Sequence, residues 1–108
     1  MLDLVKRLKR RYVVVKAEPR IGGDLLTKAI NSSYRELFGI HGLATSGFRV
    51  MKIYDDGVAI IRCFLENLPK LLLATAAITE LDGRPAAVRT LMISGSMKKA
   101  KEVAESYV

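Results

Sequence analysis

Hydrophobic positions along the chain follow two spacings, and these predict four strands and three helices. The strand-like runs are rich in β-branched residues and lie at residues 12–18, 47–54, 57–63 and 86–93. In the helical segments apolar residues recur every three or four positions; the segments lie at residues 24–38, 67–82 and 100–108. The sequence therefore predicts the order strand, helix, strand, strand, helix, strand, helix.

Capping residues and glycines mark the predicted helix ends. Asp24 is expected to cap the first helix, which Gly39 ends, and residues 40–46 are expected to form a loop that contains His41. In the second helix, Asn67 is the expected cap and Pro69 occupies the first turn, where its missing N–H costs nothing. This helix is expected to end at Gly83 and to pack on more than one side.

Asp55-Asp56-Gly57 separates the second and third strands and favours a type I′ hairpin turn. The two aspartates could instead form a catalytic or metal-binding pair, but neighbouring side chains on an extended backbone diverge. Strict alternation along the second strand would place Val50 and Lys52 on one face.

This order of elements predicts an α+β, ferredoxin-like or RRM-like fold, β-α-β-β-α-β, with a four-stranded antiparallel sheet and an added C-terminal helix. Right-handed crossovers place the first and third strands in the middle of the sheet. We expect a basic N-terminal arm, residues 1–11, and a single domain, residues 12–108. The same fold serves unrelated functions, so it does not decide among them.

The third strand is apolar except for Arg62. Alternation puts Arg62 on the face opposite Cys63, beside Lys16 and Lys52 of neighbouring strands, so we expect an open, basic sheet face. A buried cation needs a partner. Arg62 therefore has either a structural carboxylate partner or an anionic ligand.

The charge balance favours an anionic partner such as nucleic acid. The chain of 108 residues has 18 basic and 11 acidic side chains, a net charge of +7 and a pI near 9.8. Its single cysteine, Cys63, excludes a disulfide within the chain and is typical of a buried apolar position. No apolar run is long enough to span a membrane. We expect a cytoplasmic protein without a membrane partner.

Ser94-Gly95-Ser96 precedes the C-terminal helix and is followed by Lys98 and Lys99. A serine before a helix is ordinarily an N-cap. Two lysines at the positive end of a helix also favour a bound anion. Capping and phosphate binding both remain open.

Three of these segments, in this order, resemble the protein component 2 family of archaeal and eukaryotic ribonuclease P. They are Arg10-Arg11-Tyr12, the strand Gly57-Val58-Ala59-Ile60-Ile61-Arg62-Cys63 and the turn Ser94-Gly95-Ser96-Met97-Lys98-Lys99. Ser96 and Met97 stand where the family usually has threonine and isoleucine. The resemblance implies a non-catalytic subunit of a ribonucleoprotein that removes the 5′ leader from precursor tRNA.

The resemblance also implies partners and contacts. The expected partners are the ribonuclease P RNA, precursor tRNA and protein component 3, usually in a heterotetramer; the protein binds no cofactor, and Mg²⁺ is expected on the RNA. No catalytic or metal-ligating residue is expected. The phosphate-binding turn would be Ser94, Gly95 and Ser96. The expected RNA contacts are Lys6, Arg7, Lys9, Arg10, Arg11, Arg62, Lys98 and Lys99.

Two other functions use the same fold. An acylphosphatase-like enzyme would need a loop that binds an anion, and residues 20–23 are a weak candidate for this loop. It would also need an asparagine that orients water, and no asparagine of the chain fits this role. A homodimeric domain that senses a small ligand is the second alternative.

Overall fold

The computed structural model describes residues 9–54 and 57–108. The strands are β1 (Arg10–Glu18), β2 (Arg49–Ile53), β3 (Val58–Phe64), β4 (Glu80–Leu81), β5 (Arg84–Pro85) and β6 (Ala87–Ser94). The helices are α1 (Gly23–Ala44), α2 (Leu68–Ala76) and α3 (Met97–Ser106), and a 3-10 turn, Leu65–Asn67, precedes α2. The predicted order of the main elements is confirmed.

The main sheet has the order β2-β3-β1-β6, and its strands are all antiparallel. β1 and β3 are therefore the central strands, as predicted. The helices α1 and α2 cover one face, where Val13, Val15 and Ile61 pack with Tyr34 and Leu71 in the main core. The ferredoxin-like fold class is confirmed.

The second face of the sheet is not as open as predicted, because α3 lies across it. Ala100 and Ala104 of α3 are fully buried against Val14, Val58 and Ile60. These apolar strand residues would otherwise be exposed to water, and their burial by α3 is favourable. The predicted docking face is thus restricted to the part of the sheet that α3 leaves free.

Gly39 does not end α1. It adopts a non-helical conformation (φ 77°, ψ 174°), but the helix resumes and continues to Ala44, so most of the predicted loop around His41 is helical. A positive φ is accessible to glycine without a side-chain clash. The cap was also misplaced: Gly22 is the N-cap, and Asp24 lies in the first turn.

The helix predicted to end at Gly83 ends at Ala76 instead. Residues 80–85 form a small hairpin, β4-β5, around Asp82 and Gly83, which have φ values of 53° and 76°. Two positive φ angles are the requirement of a type I′ turn, for which Asp-Gly is a preferred pair. Leu81 of this hairpin is buried in the main core.

A bulge in β2 overturns the predicted alternation there. Val50 pairs with Ile61 while Lys52 pairs with Ile60, so the register shifts between them. Val50 packs against the main core, and Lys52 lies on the α3 face with its Nζ 5.0 Å from the centre of the Tyr54 ring. At a bulge, two residues of one strand lie opposite one residue of its partner, so the side chains of Val50 and Lys52 lie on opposite faces. The turn residues Asp55 and Asp56 lie outside the described residues.

Candidate nucleic-acid interface

The site residues predicted on three distant segments meet at one end of the sheet. β1 begins where β3 and β6 end, since Arg10 pairs with Phe64 and Tyr12 pairs with both Arg62 and Ser94. This antiparallel register follows from the crossover topology rather than from any local motif. Arg10, Arg62 and the 94–96 turn are thereby brought together.

Four residues in register define what we call the cross-strand row: Arg49, Arg62, Tyr12 and Ser94. Arg49 pairs with Arg62, and Tyr12 stands between Arg62 and Ser94. Residues directly opposite each other on antiparallel strands present their side chains on the same face. The row therefore crosses the entire sheet on the α3 face, from the edge strand β2 to the edge strand β6.

Arg62 is half-buried, and it forms no ion pair with a carboxylate of residues 9–54 or 57–108. Its direct neighbour Arg49 is exposed and likewise unpaired within that part of the chain. Like charges directly opposite each other repel. By contrast, the Nε of Arg89 on β6 lies 3.5 Å from a carboxylate oxygen of Glu18, at the far end of β1. The two arginines of the row thus form a concentrated positive charge.

Both serines of the 94–96 turn have capping roles. The Ser94 Oγ accepts a hydrogen bond from the Ser96 N–H at 3.0 Å, and the Ser96 Oγ accepts one from the Lys99 N–H at 3.4 Å. Ser96 is the N-cap of α3, as the capping interpretation predicted. The half-buried Ser96 keeps its hydroxyl hydrogen for a further acceptor, whereas Ser94 is only 7% exposed. Capping does not therefore exclude a phosphate at this turn.

Arg11 is part of β1, and its side chain lies close to this turn. Its Nη1 donates a hydrogen bond to the Arg10 carbonyl at 2.8 Å, and a Cβ placed on Gly95 would lie 3.8 Å from the same Nη1. Lys98 and Lys99, in the first turn of α3, are exposed. The glycine leaves the backbone of the turn accessible between Arg11 and these lysines.

Cys63 lies opposite Arg11 in the β1-β3 register and is 1% exposed. Burial raises the pKa of the Cys63 thiol to about 11, while the Arg11 guanidinium acts to lower that pKa. The thiol is therefore protonated at neutral pH. The buried apolar interpretation of Cys63 agrees with its position in the main core.

The basic arm is described only from Lys9 onward. Lys9 is exposed, and its carbonyl accepts a hydrogen bond from the Leu65 N–H at 2.8 Å, while Arg10 and Arg11 belong to β1. The strand thus begins two residues before the predicted domain boundary. Lys6 and Arg7 lie outside the described residues.

Arg49 was absent from the predicted contacts. Without the bulge, the register at the hairpin end, Ile53 opposite Ala59, would have put Val50 opposite Arg62. A bulge leaves no clear signal in the sequence of a short strand. The hairpin register alone therefore does not predict that Arg49 lies opposite Arg62.

The chemistry available at this end of the sheet is anion binding. Among the described residues no three His, Cys, Asp or Glu side chains are grouped as metal ligands. Within the same ranges no helix has the length and apolar character needed to cross a bilayer. Guanidinium groups, lysines and backbone N–H groups at a helix start are the donors that phosphates use.

Comparison with known proteins agrees with this interpretation. The chain is 32% identical over 97 residues to ribonuclease P protein component 2 of Archaeoglobus fulgidus, covering 88% of this chain and 87% of that protein. It is 29% identical over 99 residues to the protein of the same name from Methanosarcina mazei, covering 89% and 84%.

Its fold resembles a chain in the cryo-EM structure of yeast ribonuclease MRP, with a TM-score of 0.70 and 18% identity over 92% of this chain and 93% of that one. Residues 11–105 match the profile of the Rpp14/Pop5 family, so the match includes β3, the 94–96 turn and all of β1 except Arg10. The chain therefore belongs to the Rpp14/Pop5 family.

Proposed function

We propose that this protein is a protein subunit of ribonuclease P and supports RNA-catalysed removal of the 5′ leader from precursor tRNA. Family membership and the component 2 relatives support this role. The observation that carries the RNA contact is the pair Arg49 and Arg62, which lack carboxylate partners within the described residues. RNA phosphates would neutralise this charge.

The protein acts as a non-catalytic subunit. In this proposal the RNA performs the hydrolysis and holds the Mg²⁺ ions, while the protein neutralises phosphates that would otherwise repel each other in the folded RNA. The phosphate contacts are Arg10, Arg11, Arg62, Lys98 and Lys99, together with the 94–96 turn. Lys6, Arg7 and Lys9 extend the same basic segment along the chain. A cytoplasmic location remains a prediction of the sequence.

A protein partner of the component 3 type is part of the proposal, in a heterotetramer. Supporting it, the helical layer exposes large apolar side chains: Leu37 is 44%, Ile40 67% and Leu73 53% exposed. Apolar residues of this size on one layer are typical of protein interfaces. The layer lies on the side of the sheet opposite the cross-strand row, so partner and RNA can bind together.

Reconstitution tests the proposal. The catalytic RNA and a component 3 protein are assembled with and without this chain, and mature tRNA and 5′ leader are separated on a gel. We expect the chain to raise the cleavage rate. A matched variant, Arg10→Ala/Arg62→Ala, is expected to raise it less, and equal rates with and without the wild-type chain would refute the proposal.

A further inference from the structure

Three aromatic side chains on or next to the strands of the α3 face could stack on a base: Tyr12, Tyr54 and Phe64. Two of them have other contacts. The Tyr54 hydroxyl donates a hydrogen bond to a Glu105 carboxylate oxygen at 3.4 Å, and its ring lies against the Lys52 ammonium. The Phe64 ring fills the space beside Gly47, where an added Cβ would lie 2.5 Å from it. Tyr12 is the third.

Tyr12 packs against neighbouring side chains, but its hydroxyl group is available to a ligand. It is partly buried beside the cluster of Val14, Ile60 and Ala100 beneath α3. Its hydroxyl forms no hydrogen bond with any residue of the described ranges. A ring fixed by its neighbours loses little conformational entropy when a ligand stacks on it.

The residues around Tyr12 are those expected of a nucleotide-binding site. Arg62 lies directly beside it on β3, and Ser94 lies beside it on β6. Arg10 is two residues earlier on β1, on the same face of the sheet, and Arg49 lies beyond Arg62. The row thus combines one aromatic surface for a base with two cations on its β3 side, Arg62 and Arg49, while Arg10 adds a third cation along β1. An aromatic surface beside cations is the usual arrangement for binding single-stranded nucleic acid.

We propose that the cross-strand row binds one unpaired nucleotide, whose base stacks on Tyr12 and whose flanking phosphates contact Arg62 and Arg49. This inference rests on the proposed function and specifies the RNA it recognises. A base inside a duplex is already stacked on both faces and is not available to Tyr12. The site therefore selects a loop, bulge or single strand over a continuous helix.

The lack of tryptophan in the chain makes a direct measurement possible. Tyr12→Trp introduces a single indole at the proposed stacking position, and Tyr107→Trp introduces one at the other end of α3 as the matched control. Each variant is titrated with a short single-stranded RNA, a blunt duplex of the same sequence and an oligoglutamate of equal charge. We expect the single strand to quench the fluorescence of Tyr12→Trp several-fold more than that of Tyr107→Trp.

The expected response to the duplex and the peptide is weak. Quenching of Tyr12→Trp by the duplex or by oligoglutamate as strong as that by the single strand would overturn the inference, because the surface would then recognise charge alone. The absence of quenching by all three would overturn it as well.

Affinity provides a second measurement on the protein without an indole. Tyr12→Leu should weaken binding of the single strand about tenfold or more, whereas Tyr12→Phe keeps the ring and should bind nearly as well as wild type. Circular dichroism confirms that both variants fold. Equal affinities of Tyr12→Leu and wild type would contradict stacking. If the wild-type chain then still stimulates the catalytic RNA, this inference alone is wrong; if it does not, the proposed function is wrong.

Discussion

Arg49 and Arg62 lie directly opposite each other on β2 and β3, on the same face of the sheet, without a carboxylate partner among residues 9–54 and 57–108. Neighbouring cross-strand side chains have Cβ atoms about 5 Å apart. Like charges directly opposite each other on a sheet repel, which destabilises the free protein and favours an anion that binds both guanidinium groups. The arrangement is therefore explained better by binding than by folding.

Arg62→Met distinguishes a role of Arg62 in RNA binding from a role in folding. Methionine keeps an apolar side chain in place of the half-buried aliphatic part of arginine but removes the charge. We expect thermal stability to be equal or higher, since the repulsion is removed. The slope of log affinity for RNA against log salt should become shallower by about one phosphate. Arg89→Met, which removes an arginine paired with Glu18, is the control for the slope. A loss of stability with an unchanged slope would show that Arg62 is structural.

Arg10→Ala/Arg11→Ala should make the salt dependence of RNA binding shallower by about two phosphates. Both arginines lie at the start of β1, and Arg11 also approaches the 94–96 turn. Lys28→Ala/Arg35→Ala removes the same charge from exposed positions on α1. We expect that control to change the slope little. Equal changes in the two double variants would mean that only net charge matters.

Substitutions of Ser96 distinguish helix capping from phosphate binding. Ser96→Ala removes the N-cap of α3 and should cost about 1 kcal/mol in the free energy of unfolding. Ser96→Asp keeps a capping oxygen and suits the helix dipole, so its stability should match wild type. Its negative charge should nevertheless weaken RNA binding. Wild-type RNA affinity in Ser96→Asp would remove the 94–96 turn from the interface.

The predicted fold came from hydrophobic spacing, which specifies the core face of each element. Val13, Val15 and Ile61 are in the main core because strand alternation and helix periodicity agree there. The sequence did not predict that α3 covers the other face of the sheet, because the buried residues of α3, Ala100 and Ala104, are small. Such positions add little to an apolar pattern.

Three errors in detail each concern a single turn or residue. The sequence pattern favours a helix end at Gly83, although Asp82-Gly83 is the same Asp-Gly pair that favours a type I′ turn at Gly57. The β2 bulge hid Arg49, and Gly39 interrupts α1 without ending it. In each case tertiary packing, which a single sequence does not display, decides between two permitted backbone paths.

Burial of Cys63 predicts a pH dependence of stability. Its pKa in the folded protein is about 11, above the ordinary thiol value of about 8.5. The unfolded chain loses this proton first as the pH rises. The stabilisation is therefore complete below about pH 8.5 and is lost as the pH rises towards 11, with the unfolding constant increasing up to about tenfold per pH unit.

Urea unfolding at several pH values measures this effect. Cys63→Ala should be less stable at pH 7 because a buried side chain is truncated, but its stability should fall less between pH 8.5 and 11 than that of wild type. The tyrosines are present in both proteins, so their ionisation does not account for the difference. Parallel pH profiles would contradict the raised pKa of Cys63.

The central claim is that this protein supports the catalytic RNA by neutralising its phosphates. Its most direct test is the rate of 5′ leader removal by the particle of RNA, component 3 protein and this chain, measured as Mg²⁺ is lowered. We predict that the chain shifts half-maximal activity to lower Mg²⁺, and that Arg10→Ala/Arg11→Ala/Arg62→Met reverses most of the shift. A Mg²⁺ dependence that is the same with and without the chain would contradict the claim.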